Sequence, residues 1–120
     1  MATRSEIFKR YGFVMKRLNM AIFLITKGEG FTKDIYENAR KEVNWEGNPP
    51  PGIIFHVASF DDSGAIRVAD VWESEDQWNN FLNTRLKPYM QKNKVPPLKT
   101  EIFQAHNINA LSAIDRYKLR

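Results

Sequence analysis

Residues 49–90 decide the fold, and they read PPPGIIFHVASFDDSGAIRVADVWESEDQWNNFLNTRLKPYM. Two runs within them, 53–60 and 65–73, are rich in β-branched, aromatic and small apolar residues, a composition that favours strands. The residues between the runs, DDSG at 61–64, have the composition of a tight turn, and Gly64 suits its left-handed position. The stretch therefore predicts a β-hairpin closed by a type I turn with a bulge.

The length of the turn determines which residues face each other across the hairpin. A three-residue loop ending at Gly64 pairs His56 with Asp70 and Ile54 with Trp72 on one face of the ribbon. The opposite face is also apolar, although an antiparallel sheet with one face in water alternates apolar and polar residues. We therefore expect both faces of the hairpin to be covered.

A helix after the hairpin provides one of these covers. Ser74 is a good N-cap, Gln77 completes a capping box, and the acidic residues 75 and 76 suit the positive end of a helix dipole. Pro88 removes a backbone donor, so we expect the helix to kink or end early there. Helical spacing places four apolar residues on the side that faces the sheet: Trp78, Phe81, Leu82 and Leu86. A second copy of the sheet is the economical cover for the other face.

The rest of the chain completes the order strand, helix, strand, strand, helix, strand. Residues 20–26 read as a strand buried on both faces, and residues 98–106 alternate well enough to form the last strand. Residues 31–43 read as a helix capped by Thr32, with Tyr36 in its inner stripe. This order predicts an α+β, ferredoxin-like βαββαβ sandwich. Its four-stranded antiparallel sheet has both helices on one face and dimerises through the other face into an α+β barrel.

Composition excludes several classes of function. The 120 residues contain no cysteine, which excludes disulfides, thiol catalysis and thiolate metal sites. No apolar run reaches the roughly 18 to 20 residues of a membrane span, so we expect no stable membrane insertion and a cytoplasmic location. The net charge of +4 resides in residues 1–19, where five basic residues accompany one acid, and the remaining residues are balanced. The sequence thus lacks the basic stripe of a nucleic-acid-binding domain.

The chain divides into three parts. Residues 1–19 form a basic N-terminal extension, residues 20–108 form the domain, and residues 109–120 form a tail with a possible short helix. Three interpretations of the extension remain open. It is a helix or arm that packs on the domain or its dimer mate, an upstream start with Met20 as the native initiator, or a targeting or membrane-surface segment.

The predicted pair of His56 and Asp70 could carry out chemistry. The carboxylate would orient the imidazole and fix its tautomer, which makes His56 a usable base near neutral pH. Alternatively, the two residues are a buried polar pair that fixes the strand register. We expect five residues to bind the substrate in the adjoining cleft: Trp72, Tyr36, Phe81, Trp78 and Ile54. No metal site is expected, because the chain has two histidines, too few for a three-histidine site.

Four segments resemble the dimeric α+β barrel superfamily: GIIFHV at 52–57, VADVWESE at 68–75, RLKP at 85–88 and IFQAHN at 102–107. Within it, residues 20 to about 108 are most similar to the small antibiotic-biosynthesis-monooxygenase-like (ABM-like) proteins. The resemblance implies a homodimer and a small apolar or aromatic ligand. Members of the superfamily include cofactor-free monooxygenases, haem-degrading enzymes, small isomerases and proteins without an assigned activity, so function does not follow from the fold alone.

The haem-degrading branch implies an asparagine on the first strand and a histidine on the second helix. Residues 20–26 contain no asparagine, and Leu82 stands near the place of the histidine, so we expect neither haem nor another cofactor. The leading hypothesis is a cofactor-independent monooxygenase with His56 as base and Asp70 as its orienting partner. The alternatives are a non-catalytic small-molecule-binding or stress-related dimer, and a small isomerase or lyase.

Overall fold

The structure is a computed structural model that describes residues 20–119, so the predicted N-terminal extension lies outside the described residues. In chain order the elements are β1 Ile22–Gly28, α1 Lys33–Val43, β2 Ile53–Phe60, β3 Ile66–Trp72, α2 Glu75–Phe81, a π-helical turn Leu82–Leu86, α3 Lys87–Lys92, β4 Lys99–Gln104 and a 3-10 helix Ser112–Tyr117. No helix within this range is long and apolar enough to cross a membrane.

The four strands form one antiparallel sheet in the order β2-β3-β1-β4. We call the face that packs against the helices the inner face. Its buried residues, such as Leu24 and Trp72, form one core cluster with Tyr36 and Ala39 of α1 and with Phe81 of α2. The predicted fold class is therefore confirmed: a ferredoxin-like α+β sandwich with its helices on one face of the sheet.

The β2–β3 turn has the predicted geometry. Asp61 donates its backbone N–H to the carbonyl of Ala65 at 2.9 Å, and Gly64 donates to the carbonyl of Asp61 at 2.8 Å. Gly64 has a φ of 83°, a left-handed conformation that glycine adopts without steric cost. His56 consequently lies directly opposite Asp70, as the loop length predicts.

The predicted pairing of Ile54 with Trp72 is wrong. The register shifts between Ile53 and Phe55, and Ile53 faces Trp72 instead. An extra residue at a β-bulge reverses the side of the sheet on which the residues beyond it fall. Ile54 is 48% exposed as a result, whereas Ile53 packs against the core.

The helix after the hairpin begins as predicted but does not end early. The Ser74 side chain accepts a hydrogen bond from the backbone N–H of Gln77 at 3.2 Å, and its hydroxyl donates to the Gln77 side-chain oxygen at 2.9 Å. The helical segment then continues through the π-helical turn Leu82–Leu86, with Pro88 in the first turn of α3, as far as Lys92. Pro88 has no backbone N–H to donate. The π-helical turn before it is compatible with this, because i→i+5 hydrogen bonding leaves one carbonyl that needs no helical donor.

Strand β1 is buried on one face only and is displaced by two residues from the predicted range 20–26. It runs over Ile22–Gly28, and Ile22 and Leu24 are buried on its inner face. Ile25, which points to the opposite face, is 41% exposed. The expectation that both faces of this strand are buried is therefore not met within a single copy of the chain.

The outer face of the sheet, opposite the helices, carries two apolar rows. The strand register aligns the first row as Phe103, Phe23, Val71 and Phe55, and the second as Ile25, Ala69 and Val57. Phe103 and Val57 are 47% and 46% exposed, respectively. One copy of the chain thus presents one apolar row across all four strands and a second across three of them, which ends at Glu101 on β4.

Candidate functional site

The inner face of the sheet and the helices enclose a cavity of about 80 Å³. Most of its lining is apolar, and the polar groups converge from α1, β2 and β3. Six of the seven predicted site residues line it: Tyr36, His56, Asp70, Trp72, Trp78 and Phe81. Ile54 does not, and Ile53 takes its place because of the bulge in β2.

A series of hydrogen bonds connects the polar side chains of this cavity. His56 Nδ1 lies 2.6 Å from Asp70 Oδ1, and His56 Nε2 lies 2.7 Å from the hydroxyl of Tyr36. The indole of Trp72 donates to the second oxygen of Asp70 at 3.3 Å. Four side chains therefore form one network, of which the sequence predicts only the contact between His56 and Asp70.

The network favours one assignment of the protons. An ionised carboxylate only accepts hydrogen bonds, so a neutral His56 satisfies both contacts when it donates Nδ1–H to Asp70 and accepts at Nε2 from the hydroxyl of Tyr36. Burial raises the pKa of Tyr36 to about 12, so this hydroxyl keeps its proton at neutral pH. Asp70 is 6% exposed, and both of its oxygens have a donor in the network.

This arrangement is suited to proton transfer. His56 Nε2 is oriented as a base by the carboxylate behind it, and its lone pair is directed at the Tyr36 hydroxyl. A substrate can reach that lone pair either by displacing the hydroxyl or by transferring its proton through it. Residues 20–119 contain no cluster of three potential metal ligands.

The sequence analysis misses Trp45, an aromatic residue of the cavity wall beside His56. Its ring centroid lies 5.8 Å from that of His56 and 5.6 Å from that of Tyr36, and it lines the cavity. Trp45 belongs to the connector between α1 and β2, where neither helical nor strand periodicity indicates the direction of a side chain. A large aromatic residue in an otherwise polar, proline-bearing connector is the one signal that could have identified it.

Comparison with known proteins yields matches among solved structures. No protein-family model matches the chain, and no curated protein matches its sequence. A candidate antibiotic biosynthesis monooxygenase from Chloroflexus aurantiacus superimposes with a TM-score of 0.56 at 16% identity, covering 75% of this chain and 97% of that one. SnoaB, a cofactor-independent oxygenase from Streptomyces nogalater, gives 0.55 at 13% identity, covering 75% and 96%.

The chain has the fold of the ABM-like proteins. The NE2512 protein of unknown function from Nitrosomonas europaea shares this fold, with a TM-score of 0.55 at 13% identity, covering 80% of this chain and 97% of that one. The family resemblance noted in the sequence is therefore confirmed as a likeness of fold. Because these identities are low and the matched proteins differ in what is known of them, the chemistry must be argued from the residues of this chain.

Proposed function

We propose that this ABM-like chain binds a small apolar or aromatic molecule in the cavity and acts on it as a cofactor-independent monooxygenase. The observation that carries this proposal is the hydrogen-bonded series Tyr36–His56–Asp70 in the wall of an otherwise apolar cavity. Hydrophobic walls with a few convergent polar groups are typical of small-molecule sites. The description of SnoaB as a cofactor-independent oxygenase is consistent with this reaction class.

In the proposed reaction His56 is the general base. Its Nε2 removes a proton from a hydroxyl or an acidic C–H of the substrate, and Asp70 stabilises the imidazolium that results. The electron pair left on the substrate carbon reduces dioxygen to a carbon-bound peroxide anion. The imidazolium of His56 returns its proton to this anion, and the hydroperoxide that forms loses water to give a carbonyl. A methylene group and dioxygen thus yield a carbonyl group and water, with the substrate oxidised and dioxygen reduced.

The volume of the cavity implies that side chains move when a ligand enters. Pockets that hold small ligands usually measure about 300 Å³ or more, and this cavity measures about 80 Å³. Tyr36 is the obvious group to move, because its hydroxyl covers the lone pair of His56 that the reaction requires. A substrate hydroxyl that replaces it would take over the hydrogen bond to Nε2.

A homodimer is the second part of the proposal, and the outer face of the sheet is its interface. Exposed apolar surfaces of this extent are unusual in monomers and mark interaction sites. A second copy matches the surface with an identical apolar surface about a twofold axis. Burying Ile25, Val57 and Phe103 in this way would explain why strands of a small domain are apolar on both faces.

The dimer is tested by a charge placed on this face, on the edge strand β2. Val57→Lys puts a lysine among the apolar rows, and we expect light scattering after size exclusion to shift from twice the chain mass to the chain mass. Asn79→Lys is the matched control, because it adds the same charge at an exposed position of α2. A wild-type chain that is monomeric at all concentrations would refute the interface. Residues 1–19 would then be the other candidate to cover the outer face of the sheet.

The activity is tested by dioxygen uptake with a panel of naphthols, anthrones and quinols. We expect wild-type turnover with at least one of them and a loss of about a hundredfold or more in His56→Ala, the usual scale for a general base. His106→Ala is the matched control, because it removes the other histidine of the chain, which is exposed. Equal uptake by wild type and His56→Ala would exclude His56 as the base.

A non-catalytic binding protein is the second candidate function. It is favoured by a specific observation: both ring nitrogens of His56 already have partners within the chain, and the cavity is small. Ligand binding without turnover of any compound would support it.

Proton exchange or elimination without dioxygen would instead indicate an isomerase or lyase that uses the same base. A cytoplasmic location is part of the proposal, and cell fractionation checks it.

A further inference from the structure

Trp45 carries a hydrogen-bond donor that the protein itself does not use. Its indole Nε1 is buried and has no hydrogen-bond partner among residues 20–119. Buried indole N–H groups are normally bonded, since an unpaired donor away from water destabilises the folded state. Trp45 also lines the cavity that holds Tyr36 and His56. The residue that carries the unpaired donor is therefore part of the wall of the candidate site.

The loop that carries this donor is held firmly by its neighbours. Asn44, immediately before it, ends α1 in the left-handed conformation with a φ of 57°. Glu46, immediately after it, accepts two hydrogen bonds from Arg40, at 2.7 and 2.8 Å. Arg85 donates to the carbonyl of Val43 at 2.6 Å. Contacts on both sides of Trp45 thus restrain the backbone that carries its indole.

The position of Trp45 complements the other polar groups of the cavity. Its ring lies 5.8 Å from the ring of His56, close enough for one small ligand to touch both. The hydroxyl of Tyr36 already donates its hydrogen bond to His56, and the indole N–H of Trp72 already donates to Asp70. Among these groups Trp45 is the one whose proton remains for a ligand.

We propose that the Nε1–H of Trp45 donates a hydrogen bond to an oxygen of the ligand, and that the ligand is an oxygenated aromatic, a phenol or aryl ketone, rather than a hydrocarbon. This inference rests on the proposed binding function. It adds a binding residue and a chemical requirement for the ligand. Removal of a substrate proton by His56 places negative charge on a conjugated oxygen, and a hydrogen bond from Trp45 Nε1–H to that oxygen would stabilise the charge.

The test compares two probes of nearly the same shape, 1-naphthol and 1-methylnaphthalene, on the full-length chain. Their dissociation constants are measured by calorimetry for the wild type, for Trp45→Phe and for Tyr117→Phe. We expect wild type to prefer 1-naphthol by about tenfold, the scale of one hydrogen bond. Trp45→Phe keeps an aromatic ring without the N–H and should abolish the preference. Tyr117→Phe also removes one donor from an aromatic side chain, at an exposed position outside the cavity wall, and should preserve it.

The wild-type protein also provides a readout that does not depend on a variant. The chain has three tryptophans, so its indole N–H groups give three resolvable NMR signals. 1-Naphthol should shift the Trp45 signal downfield, and 1-methylnaphthalene should not. Binding of both probes with equal affinity, or a tenfold preference that survives in Trp45→Phe, would overturn the inference while the binding function stands. Failure of the wild type to bind either probe would overturn both.

Discussion

The protonation of His56 can be tested without knowledge of any substrate by replacing Asp70 with asparagine. The amide of Asn is the size of the carboxylate but has one acceptor oxygen and one donor NH2 group. Two N–H donors, His56 Nδ1–H and Trp72 Nε1–H, converge on residue 70. The indole can only donate, so we expect the amide oxygen to face Trp72 and the NH2 group to face His56. His56 must then accept at Nδ1 and carry its proton on Nε2.

The expected loss of stability follows from the same contacts. The 2.6 Å bond between His56 and the carboxylate of Asp70 is replaced by a neutral hydrogen bond. Hydrogen bonds to charged groups contribute about 1.5–3 kcal/mol and neutral ones about 0.5–1.5 kcal/mol. The difference is about 1–1.5 kcal/mol, and the relief of removing a buried charge offsets part of it, so Asp70→Asn should lose about 1 kcal/mol. Asp70→Ala leaves both donors unpaired and should lose more, roughly 2–5 kcal/mol.

Two measurements check this prediction at neutral pH. Long-range 15N NMR identifies the protonated ring nitrogen of His56, and the exposed His106 serves as the internal reference. Urea denaturation gives the free energy of unfolding, at one fixed protein concentration because association would alter it. A wild-type His56 protonated on Nε2, or an Asp70→Asn variant with unchanged tautomer and stability, would refute the proposed hydrogen-bond network.

Three further predictions concern other parts of the chain. Gly52→Ala should reduce the free energy of unfolding by about 1–3 kcal/mol in urea denaturation, because Gly52 has a φ of 96° and a Cβ there would lie 2.6 Å from Gln77; unchanged stability would contradict this geometry. Burial raises the pKa of Tyr36 from its ordinary value of 10.0 to about 12 in the folded chain. The stability that the folded state gains from keeping this hydroxyl neutral should therefore be present below pH 10 and be lost as the pH rises from 10 to 12. Tyr36→Phe should lack that part of the decline in stability, and identical alkaline curves would contradict the prediction. The hydrogen bond from Arg40 lowers the pKa of Glu46 below its ordinary value of 4.5. The stability that the ionised Glu46 contributes should therefore be present above pH 4.5 and be lost as the pH falls below it. An acid-unfolding curve of Glu46→Gln that matches the wild type would show that this pair does not stabilise the Trp45 loop.

Much of the fold could be predicted from the sequence because local rules decide it. The turn ending at Gly64 determines the register of the hairpin, and that register brings His56 opposite Asp70. Ser74 begins the second helix through a side-chain bond that needs no distant partner. Residues 49–90 therefore predict half of the sheet and the central pair of the site.

The predictions that failed concern features that local rules do not determine. The bulge beside Ile54 exchanges Ile54 for Ile53 in the cavity wall, and alternation along a strand cannot reveal where such an extra residue is placed. Of the two outcomes expected at Pro88, a kink or an early end, the early end does not occur, because a wider π-helical turn precedes the proline and the segment stays helical as far as Lys92. Both corrections arise from contacts between elements.

The sequence by itself determined the order of the elements, the helix starts and the facing of His56 and Asp70, because each depends on residues close together in the chain. Only the tertiary structure decided that Tyr36 caps the imidazole and that Trp45 brings an unpaired donor to the same cavity. Tyr36 and His56 lie 20 residues apart, and Trp45 is in a connector without periodicity. Which side chains meet across such distances depends on how the helices pack on the sheet, and packing is a property of the whole chain.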